Sequence, residues 1–163
     1  MSAIKVIYGS TTGNTEDAAE TIAQGLNAEL VEVSSASAED FGTELTIFGC
    51  STWGSGDLQD DWDASTFIIE DCDLSGKTVA LFGFGDGYNY ADTFVGAIGT
   101  LYEQVVKSGA RVIGFCETAG YEYDESTAIH EGKFVGLPLD EDNQSKLTEG
   151  RIEKWLTQLQ SEL

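Results

Sequence analysis

Gly9-Ser10-Thr11-Thr12-Gly13-Asn14-Thr15-Glu16 stands between an apolar strand pattern, Ile4-Lys5-Val6-Ile7-Tyr8, and a helical pattern with Ala18, Ala19, Ile22, Ala23 and Leu26 at spacings of three and four. A strand therefore runs through a turn of hydroxyls, amides and glycines into the start of a helix. The first turn of a helix carries unpaired N–H groups and the positive end of the helix dipole, which together favour an anion. Gly9 and Gly13 let the backbone approach a ligand or take positive φ. Ser10, Thr11, Thr12, Asn14 and Thr15 offer further donors.

Two phosphate-loop patterns are excluded. Asn14 stands where the Walker pattern needs Lys, and Thr11 and Asn14 stand where the dinucleotide fingerprint needs its second and third glycines. The stretch thus reads either as a phosphate turn built on neutral donors and the helix end, or as a capped βα turn, since Ser, Thr and Asn are favoured at caps in any case.

The rest of the chain repeats the strand-to-helix alternation. Strands are expected at 29–33, 45–50, 77–84 and 112–116. Helices are expected from about Leu58 to Ile69, through Phe94, Ile98, Leu101, Tyr102 and Val105, and through Ile152, Trp155, Leu156 and Leu159. Near-continuous apolar strands point to a parallel sheet covered on both faces. Five of them with right-handed crossovers fit a three-layer, doubly wound α/β sheet of order 2-1-3-4-5. Residues 118–142 break the alternation and are too long for a plain connection. They read as an insertion splitting the fifth strand, with 133–137 resuming it.

A chain of 163 residues is expected to form a single domain, 1–163. Its net charge of −21 argues against nucleic acid and anionic membrane surfaces as partners and for proteins with basic patches. The three cysteines, without CxxC spacing, suit a reduced, cytoplasmic setting better than a disulfide framework. No signal-like or membrane-spanning stretch is visible, and the high charge favours a monomer. His130, the single histidine, has no companion ligand nearby and reads as a surface residue, and no metal site is expected.

In a doubly wound sheet, ligands bind beyond the carboxyl ends of the strands, where the loops after the first, third and fourth strands converge. The first loop supplies the neutral donors. The second, Ser51-Thr52-Trp53-Gly54-Ser55-Gly56-Asp57, sets an indole among small residues. The third, from Phe84 and Gly85 through Asp86, Gly87, Tyr88, Asn89 and Tyr90 to Asp92, sets two tyrosines beside glycines and acids. Aromatics flanking a slot above an anion site suit a flat ring.

These motifs, in this order, resemble those of the flavodoxin family, and the resemblance spans the chain. The run 8–16 resembles the family's FMN-phosphate loop. Ser51-Thr52-Trp53-Gly54, with Leu58-Gln59-Asp60-Asp61-Trp62 following, resembles the loop carrying a tryptophan wall. Gly85-Asp86 and then Tyr90-Ala91-Asp92 with Phe94 resemble the loop carrying a tyrosine wall. The insertion, ending in Leu137-Pro138-Leu139-Asp140-Glu141-Asp142-Asn143-Gln144, resembles that of the long-chain subgroup.

The resemblance implies a flavodoxin-like fold and FMN as cofactor. Its phosphate would lie on residues 10–15 and its ring between Trp53 and Tyr90. Main-chain groups around 51–54 and 84–90 would bond the ring edge. The spacing before Tyr90-Ala91-Asp92 leaves Tyr88 as the alternative wall. It further implies a low-potential carrier passing single electrons between redox proteins, such as a flavodoxin/ferredoxin-NADP reductase and low-potential acceptors, rather than an enzyme. The carrier would work between the neutral semiquinone and the anionic hydroquinone. A flip of the Gly54-Ser55 peptide would favour the semiquinone.

No Lys or Arg occurs from Val6 to Gly76, and Asp57, Asp60, Asp61, Asp63, Asp86 and Asp92 lie in or beside the candidate loops. Several such carboxylates would lower the second reduction potential by on the order of 100 mV. The alternative is an FMN-dependent NAD(P)H or quinone oxidoreductase on the same fold, which the acidic surface disfavours for a phosphorylated nicotinamide. A phospho-acceptor domain of the same strand order is weaker still, because Cys50-Ser51-Thr52 stands where its aspartate would end the third strand.

Overall fold

The side chains of β1 (Ile4–Gly9) alternate between two separate cores: Val6 and Tyr8 enter one and Ile7 the other. That division runs through the whole sheet and explains why its strands read as continuous apolar runs. The computed structural model describes residues 4–9, 13–41, 43–53 and 57–162, without the Trp53 side chain.

β1 leads to α1 (Asn14–Leu26), β2 (Glu29–Glu32) and two 3-10 turns at Val33–Ser35 and Ala38–Phe41. Next come β3 (Leu45–Trp53), β4 (Asp57–Leu58), the short helices α2 (Asp60–Asp63) and α3 (Thr66–Asp71), and β5 (Thr78–Phe84). α4 (Gly96–Lys107) is followed by β6 (Arg111–Ile113), β7 (Cys116–Glu117), β8 (Ile129–His130), β9 (Lys133–Phe134), β10 (Leu137–Leu139) and α5 (Glu141–Glu162).

β2, β1, β3 and β5 pair in parallel in that order, and both β6 and β10 lie parallel to β5 on its far side. Counted as the five expected strands, the order is 2-1-3-4-5. The fifth strand is indeed split: β6 pairs with the first half of β5, Thr78↔Arg111 to Ala80↔Ile113, and β10 with the second half, Leu137↔Phe82 to Leu139↔Phe84. The break falls at Gly114, whose φ of 82° turns the chain out of the sheet.

Several boundaries differ from the sequence reading: the strand expected at 29–33 ends at Glu32, the strand expected at 112–116 is Arg111–Ile113 with Cys116 in a second sheet, and the helix expected through Phe94 begins at Gly96. The fifth strand resumes at Leu137–Leu139 rather than at 133–137, because Lys133–Phe134 pairs antiparallel with Cys116–Glu117 and Ile129–His130 in a separate three-stranded sheet. Ser51-Thr52-Trp53 belongs to β3 rather than to a loop, because Asp57–Leu58 folds back antiparallel onto Thr52 and Trp53. The helix expected over 58–69 is two short helices. The Gln59 side chain accepts bonds from the Asp61 and Trp62 amides and starts the first; a turn at Ala64 and Ser65 separates it from the second.

Helices α1 and α5 cover one face of the sheet, with Ile22, Ile152, Trp155 and Leu159 against Ile47, Phe82 and Phe84. The other face is covered by α2, α3 and α4, with Trp62, Ile69, Ile98 and Leu101 against Phe48 and Leu81. The Trp62 indole also donates to the Gly49 carbonyl at 2.6 Å. Among the described residues no helix is long and apolar enough to cross a membrane.

Candidate functional site at the carboxyl edge of the sheet

β1, β3 and β5 are parallel neighbours, so the segments following them emerge at one edge. The first begins with Gly13 in the left-handed region (φ 97°) and ends in α1, whose N-cap residue is this glycine and whose first turn holds Glu16 and Asp17. Thr15, fully buried, places its hydroxyl 2.6 Å from that of Ser51, which is buried on β3. This bond ties the start of α1 to the end of β3. The Thr52 hydroxyl in turn accepts the Ala97 amide at 3.0 Å and joins β3 to the first turn of α4. Beneath them the Tyr8 hydroxyl lies 3.2 Å from both Glu16 and Glu32. Burial, and then the two carboxylates, push its pKa above the ordinary tyrosine value, so it stays a donor.

The third segment leaves β5 at Phe84. The Phe84 side chain is buried on the α1–α5 face, so only its backbone reaches the edge. The Asp86 carboxylate organises the turn beyond it, accepting the Tyr88 amide at 3.0 Å, the Asn89 amide at 2.9 Å and the Asn89 side-chain amide at 2.8 Å. Partial burial raises the Asp86 pKa, but the bonds from Asn89, Asn143 and Tyr88 outweigh it and hold the carboxyl below the ordinary range. Tyr88 and Tyr90 stand 81% and 51% exposed, free to flank a ligand, and Asp92 is exposed beside them.

The backbone donors of this loop are mostly engaged within the protein. Gly85 N–H bonds Leu139 O, Gly87 N–H bonds the Asp140 carboxylate, and Tyr90 N–H bonds Asp86 O, in addition to the Tyr88 and Asn89 amides already held by Asp86. Among the described residues, the loop therefore has more carbonyl acceptors than N–H donors left for a ligand, a bias that the sequence reading did not contain.

Of the expected site residues, Gly13, Asn14, Thr15, Ser51, Thr52, Phe84, Gly85, Asp86, Tyr88, Asn89, Tyr90 and Asp92 all lie at or next to this edge. Ser10, Thr11, Thr12, Gly54, Ser55 and Gly56, and the Trp53 side chain, lie outside the described residues. Two residues missed from sequence also meet the third loop: Asp140 and Asn143, at the start of α5, bond to Gly87 and Asp86. Contacts between side chains so far apart leave no local pattern. The only hint is the acid- and amide-rich run 140–143 opening a helix.

Charge is distributed unevenly around this edge. Lys5, Lys77 and Arg111 lie at or just before the starts of β1, β5 and β6, away from the strand ends, and Lys107 ends α4. Asp57, Asp60, Asp61, Asp86, Asp92 and Asp140 lie at the strand ends. Among the described residues none of them forms an ion pair. No group of three or more His, Cys, Asp or Glu among the described residues is arranged to hold a metal ion. Burial pushes the Cys50 and Cys116 thiols up to about 12, so neither is a ready nucleophile. His130 is exposed, as expected, with its ring 5.5 Å from that of Tyr102.

Comparison with known proteins places this arrangement. The family model described as Flavodoxin matches residues 6–155. The chain is 43% identical over 164 residues to a protein named flavodoxin from Synechocystis, with 98% of this chain and 96% of that one covered. It is 45% identical over 163 residues to a flavodoxin from Nostoc, with the same coverage. Among solved structures, that of Fusobacterium nucleatum flavodoxin bound to flavin mononucleotide superposes with a TM-score of 0.94 at 34% identity, covering 100% of this chain and 99% of that one.

Proposed function

This chain belongs to the flavodoxin family, and on that premise we propose that it is an electron-transfer protein holding FMN without a covalent bond. The observation that carries the reading is the convergence at the carboxyl edge. The buried Thr15–Ser51 bond joins the start of α1 to the end of β3, and β5 delivers the tyrosine-bearing loop beside them. The donor set suits a phosphate followed by a flat ring: a helix start opened by a glycine for the one, and exposed aromatics for the other.

In this reading Ser10, Thr11, Thr12, Gly13, Asn14 and Thr15 hold the phosphate. Trp53 and Tyr90 flank the ring, and the backbones of 51–54 and 84–90 line its polar edge. Bound FMN supplies the redox chemistry; the chain binds it, excludes water and sets the charge around it. Electrons pass singly, between the neutral semiquinone and the anionic hydroquinone, and the unpaired carboxylates at the strand ends disfavour the second, anionic state. The same charge steers the molecule, as a single domain and a monomer, to basic patches on reductases and low-potential acceptors in the cytoplasm.

The test is a visible absorption spectrum of the purified chain before and after addition of FMN, followed by stepwise reduction. A yellow protein that passes through a stable blue intermediate is the expected result. A colourless chain that takes up no FMN would overturn the proposal. Direct two-electron reduction by NAD(P)H, without the blue intermediate, would replace the carrier by an enzyme. Association with a basic reductase should slow steadily as salt is raised.

A further inference from the structure

The first turn of α5 is set apart from the rest of its helix. Backbone at Gln144 is non-helical (φ −134°, ψ 37°), and the Gln144 side chain is held outward by Gly120 O at 3.1 Å and Arg151 at 2.7 Å. The offset turns residues 140–143 toward the loop after β5. Asp140, only 3% exposed, accepts the Gly87 amide at 2.9 Å and the Asn143 amide at 3.0 Å. The Asn143 side-chain amide lies 2.8 Å from Asp86 and 3.0 and 2.9 Å from the two Asp140 oxygens. One carboxamide thus bridges two carboxylates 54 positions apart (140 − 86).

A Lys or Arg side chain is the usual partner for two such acids. Asp86 and Asp140 nevertheless form no ion pair among the described residues, and the further acids Glu141 and Asp142 stand beside them. Hydrogen bonds to a charged acceptor are the stronger kind, and removing the shared donor leaves like charges facing each other. The loop has little slack to relieve this. A Cβ on Gly87 would lie 2.0 Å from Glu122 O and 3.2 Å from Asp140, so the backbone is already pressed between the insertion and α5.

We infer that Asn143 is a positioning residue. From the offset turn of α5, it and Asp140 fix the 85–92 loop in place for the flavin ring without introducing positive charge there. The inference rests on the FMN reading above. A neutral carboxamide donor preserves the negative field that a Lys or Arg would cancel, so the loop is held rigid and the site remains acidic.

The test compares Asn143→Ala with Gln158→Ala, a variant on the same helix that loses only a bond to Phe115 O. Backbone amide exchange is measured at Gly87, Tyr88 and Asn89 in the flavin-free chain, and affinity is measured for both FMN and riboflavin. Asn143→Ala is expected to speed exchange at those amides and to weaken both flavins by the same factor, about tenfold, leaving the advantage of FMN over riboflavin intact. Gln158→Ala should change neither the three amides selectively nor the affinities. Unchanged exchange in Asn143→Ala, unchanged affinities, or the same losses in Gln158→Ala would each overturn the inference. If the unaltered chain takes up no flavin, the FMN reading falls, while the exchange comparison still decides whether the clamp exists.

Discussion

Lys5, at the start of β1, and Asp86, just past the end of β5, show two ways of stabilising acids at opposite edges of one sheet. Lys5 bonds Asp40 at 2.6 Å and approaches Glu29 at 3.5 Å, with its side chain only 12% exposed. Among the described residues, Asp86 and Asp140 receive only backbone amides and asparagine side chains. At the first edge a cation offsets part of the acidic charge. The second keeps its charge while its groups remain bonded. The difference teaches that the −21 charge is not a uniform coat: Lys5 offsets acids at the starts of the strands, while among the described residues no cation pairs with Asp86 or Asp140.

The largest expected effect comes from breaking the ion-paired edge. Lys5→Met removes the cation from a largely buried ion pair and should cost about 2–3 kcal/mol in urea unfolding. The bond with Asp40 comes first among the causes that raise the Lys5 pKa, and the bond with Lys5 first among those that lower the Asp40 pKa. The sign can be worked out for each partner. Asp40 contributes stability above about pH 4 that is lost as pH falls through its depressed folded value. Lys5 contributes stability below about pH 10 that is lost as pH rises through its raised one. The cost of Lys5→Met should thus stay flat across neutral pH and shrink at both extremes. A deficit that persists undiminished at pH 2 would mean that lost packing, not the pair, is being measured.

At the acidic edge, Asp140→Ala should cost less, about 1–2 kcal/mol. It strips the Gly87 and Asn143 amides of their acceptor but also relieves repulsion from Asp86. Unlike the change at Lys5, it should lower flavin affinity as well as stability. Next in size is the field itself. Replacing Asp57 and Asp61 together by Asn should raise the second reduction potential by about 40 mV, on the order of 20 mV each after screening at roughly 10 Å. The first potential should move much less. No movement of the second in potentiometric titration would show that the acidic edge serves solubility alone.

The sequence carries these two edges to different extents. The sheet was legible because both-face burial writes continuous apolar runs such as Val79-Ala80-Leu81-Phe82, and the strand order followed from alternation and crossover handedness. Where the fifth strand resumes was not. Lys133-Phe134-Val135 and Leu137-Pro138-Leu139 are both short and apolar, and only the tertiary pairing of Leu139 with Phe84 and of Phe134 with Cys116 separates them. The extension of β3 to Trp53 was likewise decided by a partner, Asp57–Leu58, rather than by propensity. Residue types at the candidate site announced themselves because hydroxyls, glycines and aromatics cluster right after strands. The clamp from Asp140 and Asn143 did not, since its bonds cross between the loop and α5, and the two residues pass in the sequence as ordinary helix-start residues.

The smallest effect tests whether the acidic edge really carries unrelieved charge. Burial comes first, and then Asp86, Asp140 and Glu141, in raising the Asp142 pKa above the ordinary value. A raised carboxyl is one whose charged form the fold disfavours. The penalty is present at pH values above the folded pKa and disappears below the unfolded value, near 4. Asp142→Asn should therefore stabilise the protein at pH 7, by no more than a few tenths of a kcal/mol because the side chain is exposed and screened. The gain should vanish below about pH 4. It should also shrink in 1 M salt, where the Debye length falls to about 3 Å. Loss of stability at pH 7 would instead give Asp142 a favourable partner and place the uncompensated charge elsewhere on the loop edge. By contrast, the same Asp→Asn change at Asp40 should destabilise at pH 7, because that carboxyl is depressed by Lys5. Opposite signs for one chemical substitution at the two edges are the sharpest form of the contrast.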